Sequence, residues 1–293
     1  MTDNMRLEDT DLRRICSLKT GGNACVIERP ESERELIAVV EKLTVSRTKF
    51  AVIGKGSNVV FLDAGYDGVI VQNTRACREI QLLEAKHRLF GGVSRIYVGS
   101  SVSNQKLIKY CINNGLDAPT YLQSVPGNVG GAVAMNAGTG VDEARYVSEY
   151  ITRVKLFDGK EVFWLAASEC GFAYRQSFFH QSNDTILGAE FGFSRRSSKK
   201  VQALARERGV FAKRTQDDTK PNAGSVFNRG YVDIPEIRGM AKGQAQFSQK
   251  TCNWIINNGE ASSSDVMYLV DQAKKIHMSS GYSEPKIEWH ILR

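Results

Sequence analysis

Two glycine-bearing stretches carry the clearest chemical suggestion in the chain. The first, Val52-Ile53-Gly54-Lys55-Gly56-Ser57-Asn58-Val59-Val60-Phe61, sets a glycine pair between two short apolar runs. Glycine there lets main chain approach a ligand closely, and successive N–H groups can cradle a diphosphate. Ser57 and Asn58 add side-chain hydrogen bonds. No Gly-Lys-Ser/Thr closes the stretch, so it is not a Walker A loop. Val59 stands where a dinucleotide fingerprint needs its third glycine, and a strand is expected to follow. Taken alone, a plain tight turn reads equally well. The second stretch runs from Ser124 through Pro126, Gly127, Asn128, Gly130, Gly131, Val133 and Asn136 to Gly138. It reads as a long extended loop that exposes backbone. Bulky side chains are nearly absent over residues 127–134, which suits a large flat ligand lying on main chain. A side chain at Gly130 is expected to meet that ligand.

These stretches need elements to hold them. Ser32 with Glu35, ahead of Leu36, Ile37, Val39, Val40 and Leu43, marks a capping box and an amphipathic helix. Apolar runs at 50–53, 59–61 and 68–71 read as strands. Signals over 76–193 are mainly strand, with a hairpin about Asp158-Gly159 and one helix near 103–114 stopped by Gly115. The basic cluster Arg195, Arg196, Lys199 and Lys200 reads as a solvated loop. A helix over 264–278 and a final strand over 287–292 complete an α+β chain of three units, 1–75, 76–195 and 196–293.

The chain has 293 residues, 42% hydrophobic and 24% charged, which excludes a disordered chain, a coiled coil and a collagen. No apolar run reaches the length of a membrane span, and the polar start MTDNMRLEDTDLRR is unlike a signal peptide, so a cytoplasmic protein is expected. Cys16, Cys25, Cys77, Cys111, Cys170 and Cys252 show no metal-like spacing with histidine and read as small hydrophobes; no metal is expected. Thirty-nine Lys and Arg against 32 Asp and Glu give a net charge of +7. That suits phosphate-bearing ligands, but no nucleic-acid motif accompanies it.

Further motifs join the two glycine stretches: Tyr174-Arg175-x-Ser177-x-Phe179, Ala223-Gly224-Ser225-Val226-Phe227, Gly21-Gly22-Asn23-Ala24 and Asn253-Trp254-Ile255-Ile256-Asn257. In order and spacing the set resembles the UDP-N-acetylenolpyruvoylglucosamine reductase family, in its compact second subtype, over essentially the whole chain. The resemblance implies three domains. Two form a vanillyl-alcohol-oxidase-type FAD-binding fold, and a C-terminal α+β domain holds the substrate. It implies FAD and NADPH as cofactors and a UDP-sugar substrate, with no nucleic acid, no membrane and a monomeric enzyme. FAD would lie on Gly54, Lys55, Gly56, Ser57 and Asn58, and on Ser124, Pro126, Gly127, Gly130, Gly131 and Val133. Tyr174 and Asn253 would touch substrate. Arg175 would stabilise the enolate formed on hydride addition, and Ser225 would supply the proton.

The family also uses a glutamate near the C-terminus. Anchoring on Glu284-Pro285 puts Lys286 there; anchoring on the final strand puts Glu288 there, and Glu followed by a hydrophobe favours the second. Departures from the family pattern include Asn228 for a lysine, Arg229-Gly230 for Asn-Pro, Thr251-Cys252 for His-Ala, and Asn128 for a small hydroxyl residue. They keep two alternatives open: a divergent flavin oxidoreductase with another substrate, and a non-catalytic flavin-binding protein.

Overall fold

The computed structural model describes residues 10–84, 92–139 and 145–293. Residues 1–9, most of the polar start weighed above as a leader, lie outside them. Strands β1 (Ala24–Glu28), β2 (Phe50–Ile53), β3 (Val59–Phe61) and β4 (Tyr66–Gln72) open the chain, with helix α1 (Glu33–Val45) after β1. Next come β5 (Ile80–Glu84), β6 (Val93–Gly99), α2 (Asn104–Asn113) and α3 (Val129–Ala134). Then follow β7 (Gly138–Thr139), β8 (Arg145–Tyr146), β9 (Ile151–Phe157), β10 (Val162–Ala166) and β11 (Thr185–Ser194). The chain ends with α4 (Ser198–Thr215), β12 (Asn222–Ser225), β13 (Ala241–Lys242), β14 (Ala245–Phe247), β15 (Trp254–Asn257), α5 (Ser263–Ser279) and β16 (His290–Leu292).

The first sheet has the order β1-β4-β2, with both pairings parallel. A second, antiparallel sheet runs β10-β9-β11-β6-β5, and a third, also antiparallel, runs β12-β15-β14-β13. Helix α1 starts where the capping signal puts it: Ser32 Oγ accepts from Glu35 N at 3.2 Å. The return bond departs from the box, because the Glu35 carboxylate accepts from Glu31 N. Leu36, Val40 and Leu43 form its buried stripe and pack with Val71, Phe157 and Leu187, so α1 ties the first sheet to the second. The β9–β10 hairpin forms with Phe157 opposite Val162, and Asp158 Oδ1 accepts from the N–H groups of Lys160 and Glu161.

Three expectations are corrected. The stretch after Asn128 is not extended: Val129–Ala134 form α3. The basic cluster opens α4, whose buried face is only Val201, Ala205 and Ala212, too small and sparse a stripe to register as a hydrophobic period. The final strand is shorter than expected. Only His290–Leu292 pair in strand fashion, parallel to β3, while Ile287 makes a lone bridge to Phe227. This return to β3 carries the end of the chain back beside the first glycine loop. A hydrophobic cluster reflects it, gathering Leu18 and Val60 with Phe227, Phe247, Leu269 and Trp289.

Candidate active site

The loop from Gly54 to Asn58 joins β2 to β3, and its shape is dictated by close main-chain contact. Gly56 has φ +65°, and a Cβ there would lie 2.1 Å from Ile15 O, so only glycine fits. Two side-chain bonds tie this loop to the second glycine stretch. Lys55 N donates to Asn128 Oδ1 at 3.1 Å, and Ser57 Oγ donates to Pro126 O at 2.9 Å. Asn128 also donates to Ser101 O at 2.6 Å, so one amide spans three segments. Sequence reasoning saw Asn128 only as a departure; a buried asparagine beside glycines was the one signal of this role.

Two cavities border the paired loops. One, of about 330 Å³, is lined by Ile53, Gly54, Asn73, Ser100, Gly131 and Ala134 among others. The other, of about 410 Å³, is lined by Arg14, Lys19, Lys55, Ser57 and Thr74 among others. A Cβ on Gly131 would meet nothing within 4 Å, so this glycine presents bare backbone to open space. Gly130 differs. Its Cβ would lie 2.8 Å from Ser100 Cβ, and its N–H already donates to Ser100 O. Both glycines line the cavity of about 330 Å³, but an added side chain at Gly130 would first meet Ser100, whereas one at Gly131 would project into open space. A backbone-lined slot flanked by lysines fits an extended dinucleotide with a central diphosphate.

Tyr174 and Arg175 are the middle of a tight turn, closed by hydrogen bonds in both directions between Ala173 and Gln176. Arg175 sits at φ +51°, a left-handed conformation that costs a non-glycine residue of order 1 kcal/mol. The turn aims Arg175 at the end of the chain. Its Nε lies 3.0 Å from Glu288 Oε1, an ion pair by distance although the N–H is not well directed at the oxygen. The two side chains are 22% and 13% exposed. Burial pushes the Glu288 carboxyl above its usual range, and Arg175 offsets this only in part. Glu288 is fixed through its main chain: its N–H donates to Val226 O, and its carbonyl accepts from Asn58 Nδ2 at 3.1 Å. Lys286 is exposed, and its carbonyl accepts from Asn228 N.

Ser225 ends β12 opposite Trp254, half-buried, with no hydrogen bond from its hydroxyl among the described residues. Asn253 sits beside it but spends its amide on protein. Its Oδ1 accepts from Phe227 N and its Nδ2 donates to Phe227 O, both at 2.8 Å. Its place is that of a clamp on the strand carrying Ser225. Tyr174 accepts from Arg229 N through its hydroxyl, and the guanidinium groups of Arg175 and Arg229 lie 5.6 and 5.3 Å from its ring. Ser124 is turned away from the loop pairing and accepts from Arg208 Nε. Val133 is fully buried in a hydrophobic cluster with Ile96, Phe191 and Phe193.

Residues 24–163 match the model of the FAD binding domain family, and residues 215–283 match the C-terminal domain of UDP-N-acetylenolpyruvoylglucosamine reductase. A Carboxydothermus hydrogenoformans protein named UDP-N-acetylenolpyruvoylglucosamine reductase is 33% identical over 278 residues, covering 92% of this chain and 88% of that protein. The chain belongs to the UDP-N-acetylenolpyruvoylglucosamine reductase family. A Chlamydia felis reductase of the same name is 29% identical, over 93% of this chain and 90% of that protein. The crystal structure of the reductase from Thermus caldophilus superposes with a TM-score of 0.78 at 22% identity, covering 96% of this chain and 97% of the other, and so shares the fold. The expected flavin-binding α+β architecture is thereby shown, and both glycine stretches fall within the residues that match the FAD binding domain. No helix among the described residues is long and apolar enough to cross a membrane.

Proposed function

We propose that the chain is an FAD-dependent reductase that uses NADPH to convert UDP-N-acetylglucosamine enolpyruvate to UDP-N-acetylmuramate for peptidoglycan synthesis. The observation that carries the reading is the Arg175–Glu288 pair, set beside Asn58 at the end of the glycine loop. Bound FAD supplies hydride transfer to the electron-poor β-carbon of the enolpyruvyl ether. Residues 54–58 and the backbone about Gly127 and Gly131 would hold it.

Negative charge then grows on the substrate carboxylate as an enolate. Glu288 lies beside the Nε edge of Arg175 as an ion pair by distance, which leaves the terminal NH₂ groups to take that carboxylate in bidentate fashion. The burial of the pair strengthens the attraction. Ser225, whose hydroxyl is uncommitted among the described residues, donates the proton to the α-carbon. Asn253 keeps it in place by holding Phe227. A Glu288 carboxyl displaced toward its protonated form is a second proton source in the same wall.

Stopped-flow measurement of the two half-reactions tests this. NADPH should bleach the flavin of the purified protein, and UDP-N-acetylglucosamine enolpyruvate should restore its colour. Ser225→Ala should leave bleaching nearly intact and slow recovery by about 10²–10⁴-fold. Bleaching without recovery in the unaltered protein would replace this reading by the divergent oxidoreductase, which Asn228 at the family's lysine position favours.

A further inference from the structure

Helix α5 is held at both ends. At its start Asp63, just after β3, accepts from Ser263 N at 2.7 Å and from Ser264 N at 3.1 Å, and its own N–H donates to Ser263 Oγ at 2.7 Å. At its end sits His277, fully buried on the same face as Val266, Leu269, Val270 and Ala273. An imidazole in an apolar stripe is costly unless its nitrogens are bonded, and both are. His277 Nε2 accepts from Val232 N at 3.1 Å, and Nδ1 lies 2.9 Å from Ser283 O. A carbonyl only accepts and an N–H only donates, so one neutral tautomer, with its proton on Nδ1, satisfies both bonds. We infer that His277 is a positioning residue for Ser225: it ties the segment that follows Ser225 to the segment that leads to Glu288.

The two segments lie side by side. Glu288 N donates to Val226 O, Asn228 N donates to Lys286 O, and Phe227 bridges to Ile287. Past Asn228 the chain turns, with Tyr231 N donating to Asn228 O, and Arg229 N reaches the Tyr174 hydroxyl. Aromatic rings carry this turn to the helix. Phe227 stacks on Tyr231 with centroids 4.7 Å apart, and Tyr231 stacks on His277 at 5.1 Å with planes 13° apart. Tyr282 packs on His277 at 5.0 Å. Phe227, two residues after Ser225, is thus joined to α5 through one intervening ring.

One side of this joint is anchored elsewhere. The Glu288 carbonyl accepts from Asn58 Nδ2 and β16 pairs with β3, which fixes the end of the chain beside the first glycine loop. Asp63 fixes α5 to the corner after β3. Ser225 pairs with Trp254 at the end of β12, and its placement toward Glu288 depends on what holds residues 226–232. His277 reaches both sides, with one nitrogen on residue 232 and the other on residue 283. Removing it leaves a half-buried N–H and carbonyl unpaired and frees the turn to drift. A drift of about 1 Å in a reacting group can cost about 10²-fold in rate. Because the role is defined by Ser225 as proton donor, it rests on the reductase reading above.

The test uses full-length, FAD-loaded protein. His277→Phe keeps a ring in the stack and removes both bonds; His277→Asn keeps a donor in the place of Nδ1 and removes only the acceptor for Val232. Amide exchange over residues 226–232 should speed up at least about tenfold in both variants, while residues 290–292 stay unchanged. In stopped flow, bleaching by NADPH should stay within about twofold of the unaltered chain. The maximal rate of recovery with UDP-N-acetylglucosamine enolpyruvate should fall at least about tenfold for His277→Phe and less for His277→Asn, with half-saturating substrate changed less than about threefold. A double-mutant cycle separates positioning from general loosening: in Ser225→Ala protein, with no hydroxyl to misplace, His277→Phe should slow recovery by less than about threefold more. If His277→Phe does not fold, His277→Asn carries the same cycle. Unchanged exchange or recovery, equal slowing of bleaching and recovery, or the full loss on top of Ser225→Ala overturns the role of His277 alone. Colour that never returns in the unaltered protein overturns the reductase reading, and this role with it.

Discussion

Neighbouring glycines in α3 should respond to alanine with opposite signs. Gly131 lies in the helix with open space where its Cβ would be. Alanine there removes the backbone entropy cost of a helical glycine, worth about 0.5–1 kcal/mol. Flavin-free Gly131→Ala protein should therefore melt about 2–4 °C higher than the unaltered chain per kcal/mol gained. The same methyl group projects into the cavity assigned to FAD and should raise the Kd for FAD tenfold or more, about 1.4 kcal/mol. Because bound ligand stabilises by RT ln(1 + [L]/Kd), the loss of about 1.4 kcal/mol at excess FAD outweighs the helix gain, and the order of melting temperatures should reverse once FAD is added. Gly130→Ala should behave otherwise. Its Cβ would meet Ser100 Cβ at 2.8 Å while the Gly130 N–H to Ser100 O bond prevents the helix from moving off. That overpacking should cost about 1–3 kcal/mol with or without flavin. Differential scanning calorimetry and fluorescence titration with FAD read both quantities. If Gly131→Ala binds FAD as tightly as the unaltered chain, the cavity has been assigned to the wrong ligand.

Glu288→Gln should slow flavin recovery by substrate strongly and Lys286→Ala only slightly, because Glu288 touches Arg175 and Lys286 is solvent-facing; stopped-flow traces with the order reversed would sink the assignment. Asn253→Ala leaves both main-chain groups of Phe227 without their partner and should cost about 1–3 kcal/mol in urea unfolding, with slower recovery but unchanged bleaching. His180 and His290 both have pKa values below the ordinary 6.5, so folding favours their neutral forms. That stabilisation is complete above pH 6.5 and is lost as pH falls through the lowered values. Urea midpoints should drop below pH 6.5, and a chain with His180→Asn and His290→Asn should show a shallower drop.

Much of the local structure was legible because its causes are local. The Ser32 cap, the apolar period of α1, the Asp158-Gly159 turn and the glycine positions each depend on a few residues in a row, and each appears where those residues predict it. The motif set likewise carried the family, because close approach of main chain to a ligand demands particular glycines at particular spacings. Where the local signal was thin, the reading failed. Helix α4 buries little more than two alanines and a valine, so its period is faint, and α3 looked extended because glycine, alanine and valine do not distinguish a short buried helix from a loop.

The site itself was decided by tertiary contacts. Residues two apart share a face of a strand, so period alone could not choose between Lys286 and Glu288. The choice came from the bond between Asn58 and the Glu288 carbonyl and from the pairing of β16 with β3, which turn one side chain inward and leave the other in water. The sequence likewise shows two glycines at 130 and 131 as equals. Only the packing of α3 against Ser100 separates them: a Cβ on one would meet the protein, and a Cβ on the other would meet open space. Ion pairing and close packing join residues far apart in the chain, and neither leaves a periodic trace in it.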